Sequence, residues 1–430
     1  MSQTPESQTA PPSPYELFRQ RDFRLYILGR LAFFTGHWMF VTAVGWELYE
    51  RTGSAFALGM VGLTQVLPTY LFTLPAGHAA DTYNRRRIIL FMALIVAAAN
   101  IGLTLVSAQQ APVVFIYCCL FVASCARTFL ATAAASFLPQ LVERRLLARA
   151  INWNASVFET AAIAGPVAAG FLMEQLHREA PIYAVNAFAA LTFALLLSRI
   201  RHLHVERAPE AFSVTTLLNG FRFVFSTRII LGTITLDMFA VLLGGATALL
   251  PIYAKDILHA GPRGLGFLQA AQPAGAILCA LYLAHRPPMQ KAGRALLWCV
   301  TAFGLATIAF GFSRWFAFSL LMLCVCGAVD NVSVVVRHTL VQMLTPDEKR
   351  GRVSAVNNLF IGTSNDLGGF ESGMVAGLFG PVVSVVSGGI GTVLVVLGVA
   401  WYWPEIRKYG RLDGPPPEKP AALNEELKPA

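Results

Sequence analysis

At 430 residues, 55% hydrophobic and only 13% charged, the chain is too apolar to present a water-facing surface; a soluble fold of this composition would expose large apolar patches. The formal net charge of +9 follows from basic residues in short polar breaks and does not point to a nucleic acid partner. A phosphate-cradling G-x-x-x-x-G-K-[ST], a nucleophile elbow and a metal-spaced histidine set are all missing from the sequence, which excludes a nucleotide-driven pump or a hydrolase and leaves no expectation of a cofactor or metal.

Residues 1–22 form a polar, proline-rich arm without the pattern of a cleavable signal, so the first apolar span is expected to act as its own signal. Runs long enough to cross roughly 30 Å of hydrocarbon, about 20 residues each, then recur along the chain. They cover 23–49, 57–78, 88–106, 112–138, 150–173, 181–199, 229–252, 264–284, 295–312, 316–342, 353–378 and 381–403, predicting twelve transmembrane helices in an all-α membrane protein. With both ends cytoplasmic, only Arg51, Arg178, Lys255, Arg263 and Arg314 of the loop lysines and arginines fall on the far side, which fixes that orientation. The longest internal polar stretch, 200–228, lies between six spans and six spans. It predicts two six-helix bundles, 23–199 and 229–403, joined by a cytoplasmic linker and followed by a tail, 404–430, expected to be disordered. Sliding the sequence on itself by 207 residues pairs Leu58, Gly59 and Gln65 with Leu265, Gly266 and Gln272, and Pro139, Arg145 and Gly170 with Pro346, Arg352 and Gly377. One offset serving two separated windows is the behaviour of halves related by an axis along the membrane normal. The seven cysteines all fall inside spans and read as apolar packing residues.

Two motifs stand out. GHAADTYNRRR, Gly77 to Arg87, closes the second span with a small residue, an aspartate at Asp81 and three arginines, Arg85, Arg86 and Arg87. It resembles the loop 2-3 signature of the major facilitator superfamily, G-x-x-x-D-R-x-G-R-R/K-R/K, with Thr82 and Asn84 in place of arginine and glycine. Asparagine tolerates left-handed backbone angles, so the turn is expected to survive at Asn84. The resemblance implies that Gly77, Asp81, Arg85 and Arg86 form a conformational latch, weakened by the charge missing at Thr82. A topology anchor accounts for the arginines equally well. In the fifth span Ala161-x-x-x-Gly165-Pro166-x-x-Ala169-Gly170 is similar to the fifth-helix motif of antiporters in that superfamily. Gly165, Pro166 and Gly170 then give a thin, kinkable helix able to lie closely against the other half, or simple small-residue packing. TGHWMFVTAVGWELYERTGSAFALGMVGLTQVLP, LLNGFRF and TPDEKRGRVSAV resemble the branch of bacterial enterobactin exporters and macrolide-efflux proteins, whose members often show G-D-W where this chain has Gly36-His37-Trp38.

Ionisable side chains at membrane depth cost several kcal/mol unless paired or hydrated, which makes each a functional candidate. Glu159 and Asp366 are 207 residues apart, each near half depth, and are the leading proton-coupling candidates, with interhelical hydrogen bonding as the alternative. His37, Asp237 and Asp330 complete the proton-coupling set. Arg127 matches in placement the fourth-helix arginine of the superfamily and is taken, with Trp38 and Phe34, as a substrate-cavity residue or as a structural partner for an acid such as Asp330. Arg337 is expected to snorkel to the cytoplasmic face, Glu371 to meet water, and Trp401 and Trp403 to sit in an interfacial belt. The expectation is a monomeric secondary transporter of the plasma (inner) membrane, not an enzyme, exporting an amphipathic small molecule by proton antiport. An importer on the same fold, or a non-transport sensor or scaffold, is the competing expectation.

Overall fold

The computed structural model describes residues 16–201, 221–287, 289–346 and 350–410. A 3-10 turn, Glu16–Arg19, leads into α1 (Arg21–Thr52), α2 (Ala55–Thr82), α3 (Arg85–Ala108), α4 (Val113–Leu141), α5 (Leu147–Leu176) and α6 (Ala180–Ser198). Then come α7 (Arg228–Leu243), α8 (Gly261–Ala284), α9 (Ala292–Phe312), α10 (Phe316–Leu344), α11 (Arg350–Phe379), α12 (Pro381–Tyr402) and a short α13 (Pro404–Lys408). The long helices break where the backbone is free to turn: Gly53, at φ +61°, separates α1 from α2, and Gly380, at φ +91° before Pro381, separates α11 from α12. Asn84 does not use the left-handed region. It is extended, at φ −63° and ψ 110°, and its side chain accepts from the Arg87 amide, so it survives in the motif as the N-cap of α3.

Eleven stretches among the described residues are long and apolar enough to cross a membrane. The exception is α11, whose 30 residues span about 45 Å at the usual rise but are rich in serine, asparagine and glycine. The seventh span is not one continuous helix. After α7 it tightens into a 3-10 turn at Ala246–Leu249 and loosens into a π turn at Tyr253–Ile257, the whole running Arg228–Ile257. Gly244 and Gly245 carry the break, because a Cβ on Gly245 would lie 2.6 Å from the Gly368 carbonyl oxygen.

By contact the chain divides into two compact units: Met1–Glu47 with Leu67–Ala211, and Leu48–Val66 with Phe212–Ala430. The first is built on a core of Tyr26, Phe33, Ile89, Leu130, Phe137 and Phe193. In the second, Leu236, Leu296, Val300, Val336 and Leu340 form one cluster and Val224, Ile230, Val341 and Val353 another. Residues 221–226, at the end of the predicted linker, are helical and seat Val224 in that core.

The tail differs from expectation in the same way. Ile406 is wholly buried, the Ile406 carbonyl lies against Gly293, and Glu405 pairs with Arg228 at 3.1 Å, so residues 404–410 are packed. Burial pushes the Tyr409 phenol above its ordinary pKa. Residues 1–15, most of the linker (202–220) and 411–430 lie outside the described residues. Trp401 is 83% exposed, as a lipid-facing or belt residue would be, whereas Trp403 is half-buried and packs against Gly232 of α7.

Candidate functional site

In the first unit the charged and aromatic side chains gather between α1 and α5. Arg30, Phe34 and Trp38 follow at four-residue intervals and so share one face of α1. The Arg30 guanidinium lies 4.0 Å from the Phe34 ring centre and its Nε donates to Asn154 Oδ1 at 3.2 Å. Phe158, one turn beyond Asn154 on α5, meets the Phe34 ring edge-on at 5.1 Å and Trp38 at 5.8 Å. The Trp38 indole Nε1 is buried with no hydrogen-bond partner. His37, half-buried, lies 6.1 Å from Trp38 and 6.0 Å from Phe40, with Arg127 of α4 as its charged neighbour. Glu159 is half-buried on α5, beside Phe158.

The close approach of α1 and α5 is made by Gly165. A Cβ there would lie 2.6 Å from the Trp38 Cβ and 2.9 Å from the Thr35 carbonyl oxygen. Pro166 and Gly170 are buried on the same helix. The thin face of α5 therefore serves packing against α1 of its own unit, and it places Trp38.

Sequence reasoning passed over Glu47. It is 1% exposed near the Thr52 end of α1, and its Oε2 accepts from Tyr183 Oη at 2.7 Å and Ser107 Oγ at 3.0 Å. Next to it Asn186 Nδ2 donates to Asn100 Oδ1 at 2.9 Å. The signal was present, since Glu47 lies inside the first predicted span; only its hydroxyl partners on α3 and α6 were invisible.

The GHAADTYNRRR segment acts at helix ends of the first unit. Asp81 and Arg85 pair at 3.9 Å, and Arg85 Nε donates to the Ala80 carbonyl at 3.0 Å and Nη1 to the Ser136 carbonyl at 3.5 Å. Arg86 donates to the Leu197 carbonyl at 3.1 Å and to the Ser198 carbonyl. The Ala80, Leu197 and Ser198 carbonyls lie in the last turns of α2 and α6, where a cation complements the negative helix end. Gly77 is buried.

In the second unit Asp237 of α7 and Arg337 of α10 form a buried ion pair. Arg337 thus does not snorkel: it is 2% exposed, because the face of α10 that carries it is packed against α7, where a carboxylate offsets its desolvation. A small cavity between α7, α9 and α10 is lined by Asp237, Asp330, Ser333, Cys299 and Phe303. Glu371 is half-buried and accepts from Ser372. Asp366 falls on α11, but its side chain lies outside the described residues, so its relation to Glu159 does too. No group of three or more histidine, cysteine or acidic side chains suited to a metal occurs among the described residues.

The helices define a multi-pass, all-α membrane protein of the major facilitator fold, two pseudo-symmetric bundles of six helices, and crystal structures of other transporters superpose on the chain. A nucleoside transporter, NupG, matches with a TM-score of 0.71 at 13% identity over 89% of this chain and all of that one (100%). A bacterial homolog of the human lysosomal transporter Spinster, in an inward-facing and occupied conformation, also scores 0.71 at 13% identity, covering 92% and 99%. Residues 12–427 match the family described as transmembrane secretion effector, and the chain belongs to it; it is a transporter, not an enzyme. It is 24% identical over 400 residues to the enterobactin exporter EntS of Citrobacter koseri, covering 92% of this chain and 94% of that protein. To EntS of Escherichia coli O1:K1 / APEC it is 24% identical over 392 residues, covering 90% and 93%.

Proposed function

We propose that the protein exports an amphipathic small molecule from the cytoplasm in exchange for protons, by alternating access, as a monomer in the inner membrane with both termini cytoplasmic. The observation that carries this reading is the set of ionisable side chains held at membrane depth in both units: Arg30, His37, Arg127 and Glu159 in one, Asp237 and Asp330 in the other. Packing alone does not need them, and each costs several kcal/mol unless paired, hydrated or used. The wall of Arg30, Phe34, Trp38 and Phe158 offers apolar rings beside a cation, which suits a cargo with an aromatic body and a polar head. Glu159, Asp366, His37, Asp237 and Asp330 are the groups through which protons are coupled; Arg127, with Trp38 and Phe34, lines the cargo path. The latch of Gly77, Asp81, Arg85 and Arg86 and the small-residue face of Gly165, Pro166 and Gly170 steady the helices that move. The relatives named as enterobactin exporters support the outward direction and the inner-membrane setting.

The test is transport in proteoliposomes under an imposed pH gradient, with enterobactin as the first cargo tried. Antiport gives substrate uptake linked to proton efflux. Symport reverses the sign and makes the protein an importer, and a sensor or scaffold gives no flux.

A further inference from the structure

The small cavity of the second unit contains an imbalance of charge. Its walls carry two carboxylates, Asp237 from α7 and Asp330 from α10, and it has room for about one water. One guanidinium serves them. Arg337 pairs with Asp237, both buried, while Asp330 has no ion-pair partner among the described residues. On α10, Asp330, Ser333 and Arg337 fall at i, i+3 and i+7, a single helix face turned towards α7 and the cavity.

The other titratable groups nearby do not supply the missing charge. Cys299 lines the cavity from α9, with Cys279 of α8 as its neighbour, and neither is a cation. Cys326, one turn before Asp330, directs its thiol to the Phe303 carbonyl at 3.8 Å and lies 3.7 Å from Thr307 Oγ1. His338 follows Arg337 but is exposed and does not line the cavity. With both aspartates ionised the cavity, with Asp237 buried and Asp330 half-buried, would hold one uncompensated negative charge beside room for about one water, an expensive arrangement that binding one proton removes.

We propose that Asp330 is an exchangeable proton site of this transporter, binding one proton, and that the Asp237–Arg337 pair is the positioning element that leaves Asp330 as the carboxylate that takes it. Ser333, on the same face, is placed to hydrogen-bond the protonated acid. Release of the proton requires hydration of the cavity, since a shift of Arg337 towards Asp330 would only hand the proton to Asp237; a parting of α7 from α10 that admits water is therefore coupled to proton affinity. That the proton travels in exchange for cargo rests on the antiport reading above; that it is bound does not.

The test is an infrared pH titration of the purified full-length protein in an ester-free detergent, following the carbonyl stretch of a protonated carboxylic acid. Wild type minus Asp330→Asn is expected to show this band at neutral pH, lost in the variant. Asp237→Asn frees Arg337 for Asp330, so Asp330 ionises and the band is lost there too. The double variant Asp237→Asn/Arg337→Gln removes the pair as a unit and keeps the band, which separates the proposal from simple misfolding. Survival of the full band in Asp330→Asn, or an unchanged band in Asp237→Asn, overturns it. In proteoliposomes loaded with enterobactin, Asp330→Asn is expected to lose proton-linked flux while retaining downhill exchange; intact proton coupling in that variant overturns the role in transport. Absence of proton flux in the wild type would sink the antiport reading and leave the infrared result standing.

Discussion

At the scale of single residues, the same chemical group has opposite meanings in the two units. Glu47 is buried as deeply as any acid among the described residues, yet two hydroxyls, Tyr183 and Ser107, already satisfy one of its oxygens. Such an acid holds α1, α3 and α6 together and has no need of a proton cycle. Glu47→Gln keeps an acceptor for both hydroxyls and is expected to retain transport, whereas Glu47→Leu strands them and loses about 1 to 3 kcal/mol, visible as a lower apparent Tm in detergent. Asp237 is bound instead to a charge. Arg337→Met leaves it unpaired and is expected to cost about 3 to 5 kcal/mol, while Arg337→Met with Asp237→Leu recovers most of that stability. A double-mutant cycle on Tm checks it; additive losses would show that the pair is not a unit.

At the scale of the helices, the small-residue motif of α5 acts through contact distance. Because a Cβ at Gly165 would meet both the Trp38 side chain and α1 backbone, Gly165→Leu is expected to push α1 away, costing about 1 to 3 kcal/mol, and to change the fluorescence of Trp38 relative to a Trp38→Phe background. The helices themselves were legible because the apolar runs are long and interrupted by Gly53, Pro112 and Gly380, where the chain has to turn. Partners across helices were not. Nothing in the spacing along α10 says that Arg337 faces α7, and the depth of Arg337 alone favours snorkelling. The tail shows the same limit: its composition reads as polar, but Ile406 and Tyr409 fill a site beside Gly293 that exists only once α9 and α12 are in place. Ile406→Ala is expected to cost about 2 to 5 kcal/mol, measured as a fall in apparent Tm, which a disordered tail would not produce.

At the scale of the molecule, the division into units cuts through two helices. Leu48–Val66 belongs by contact to the second unit, while the remainder of α1 and α2 belongs to the first, so both helices change allegiance partway along their length. Two contacts hold that segment in the second unit: the Tyr49 hydroxyl donates to Asp256, and Gly59 meets Gly373 so closely that a Cβ on Gly373 would lie 2.4 Å from the Gly59 Cα. Tyr49 and Asp256 are 207 residues apart, the offset at which the two halves of the sequence align, so this bond joins equivalent positions of the internal repeat. If the transporter works by moving one unit against the other, either this segment parts from the rest of the second unit or α1 and α2 bend at its ends; we expect the former. Gly373→Ala places a methyl group against backbone, which cannot rotate away. At about 1 to 3 kcal/mol for overpacking, and about tenfold per 1.4 kcal/mol, it shifts the balance towards the released state by roughly fivefold to a hundredfold. Gly377→Ala is the matched control, since its Cβ would meet Phe56 only at an ordinary 3.6 Å. In a cysteine-free background carrying Leu58→Cys, a position only 4% exposed, alkylation by a membrane-impermeant maleimide is expected to rise with Gly373→Ala and stay level with Gly377→Ala, and the transport rate to fall only in the former. Equal labelling in both would mean that Leu48–Val66 moves with the second unit throughout the cycle, and the bending would then have to lie within α1 and α2, at the boundaries after Glu47 and Val66.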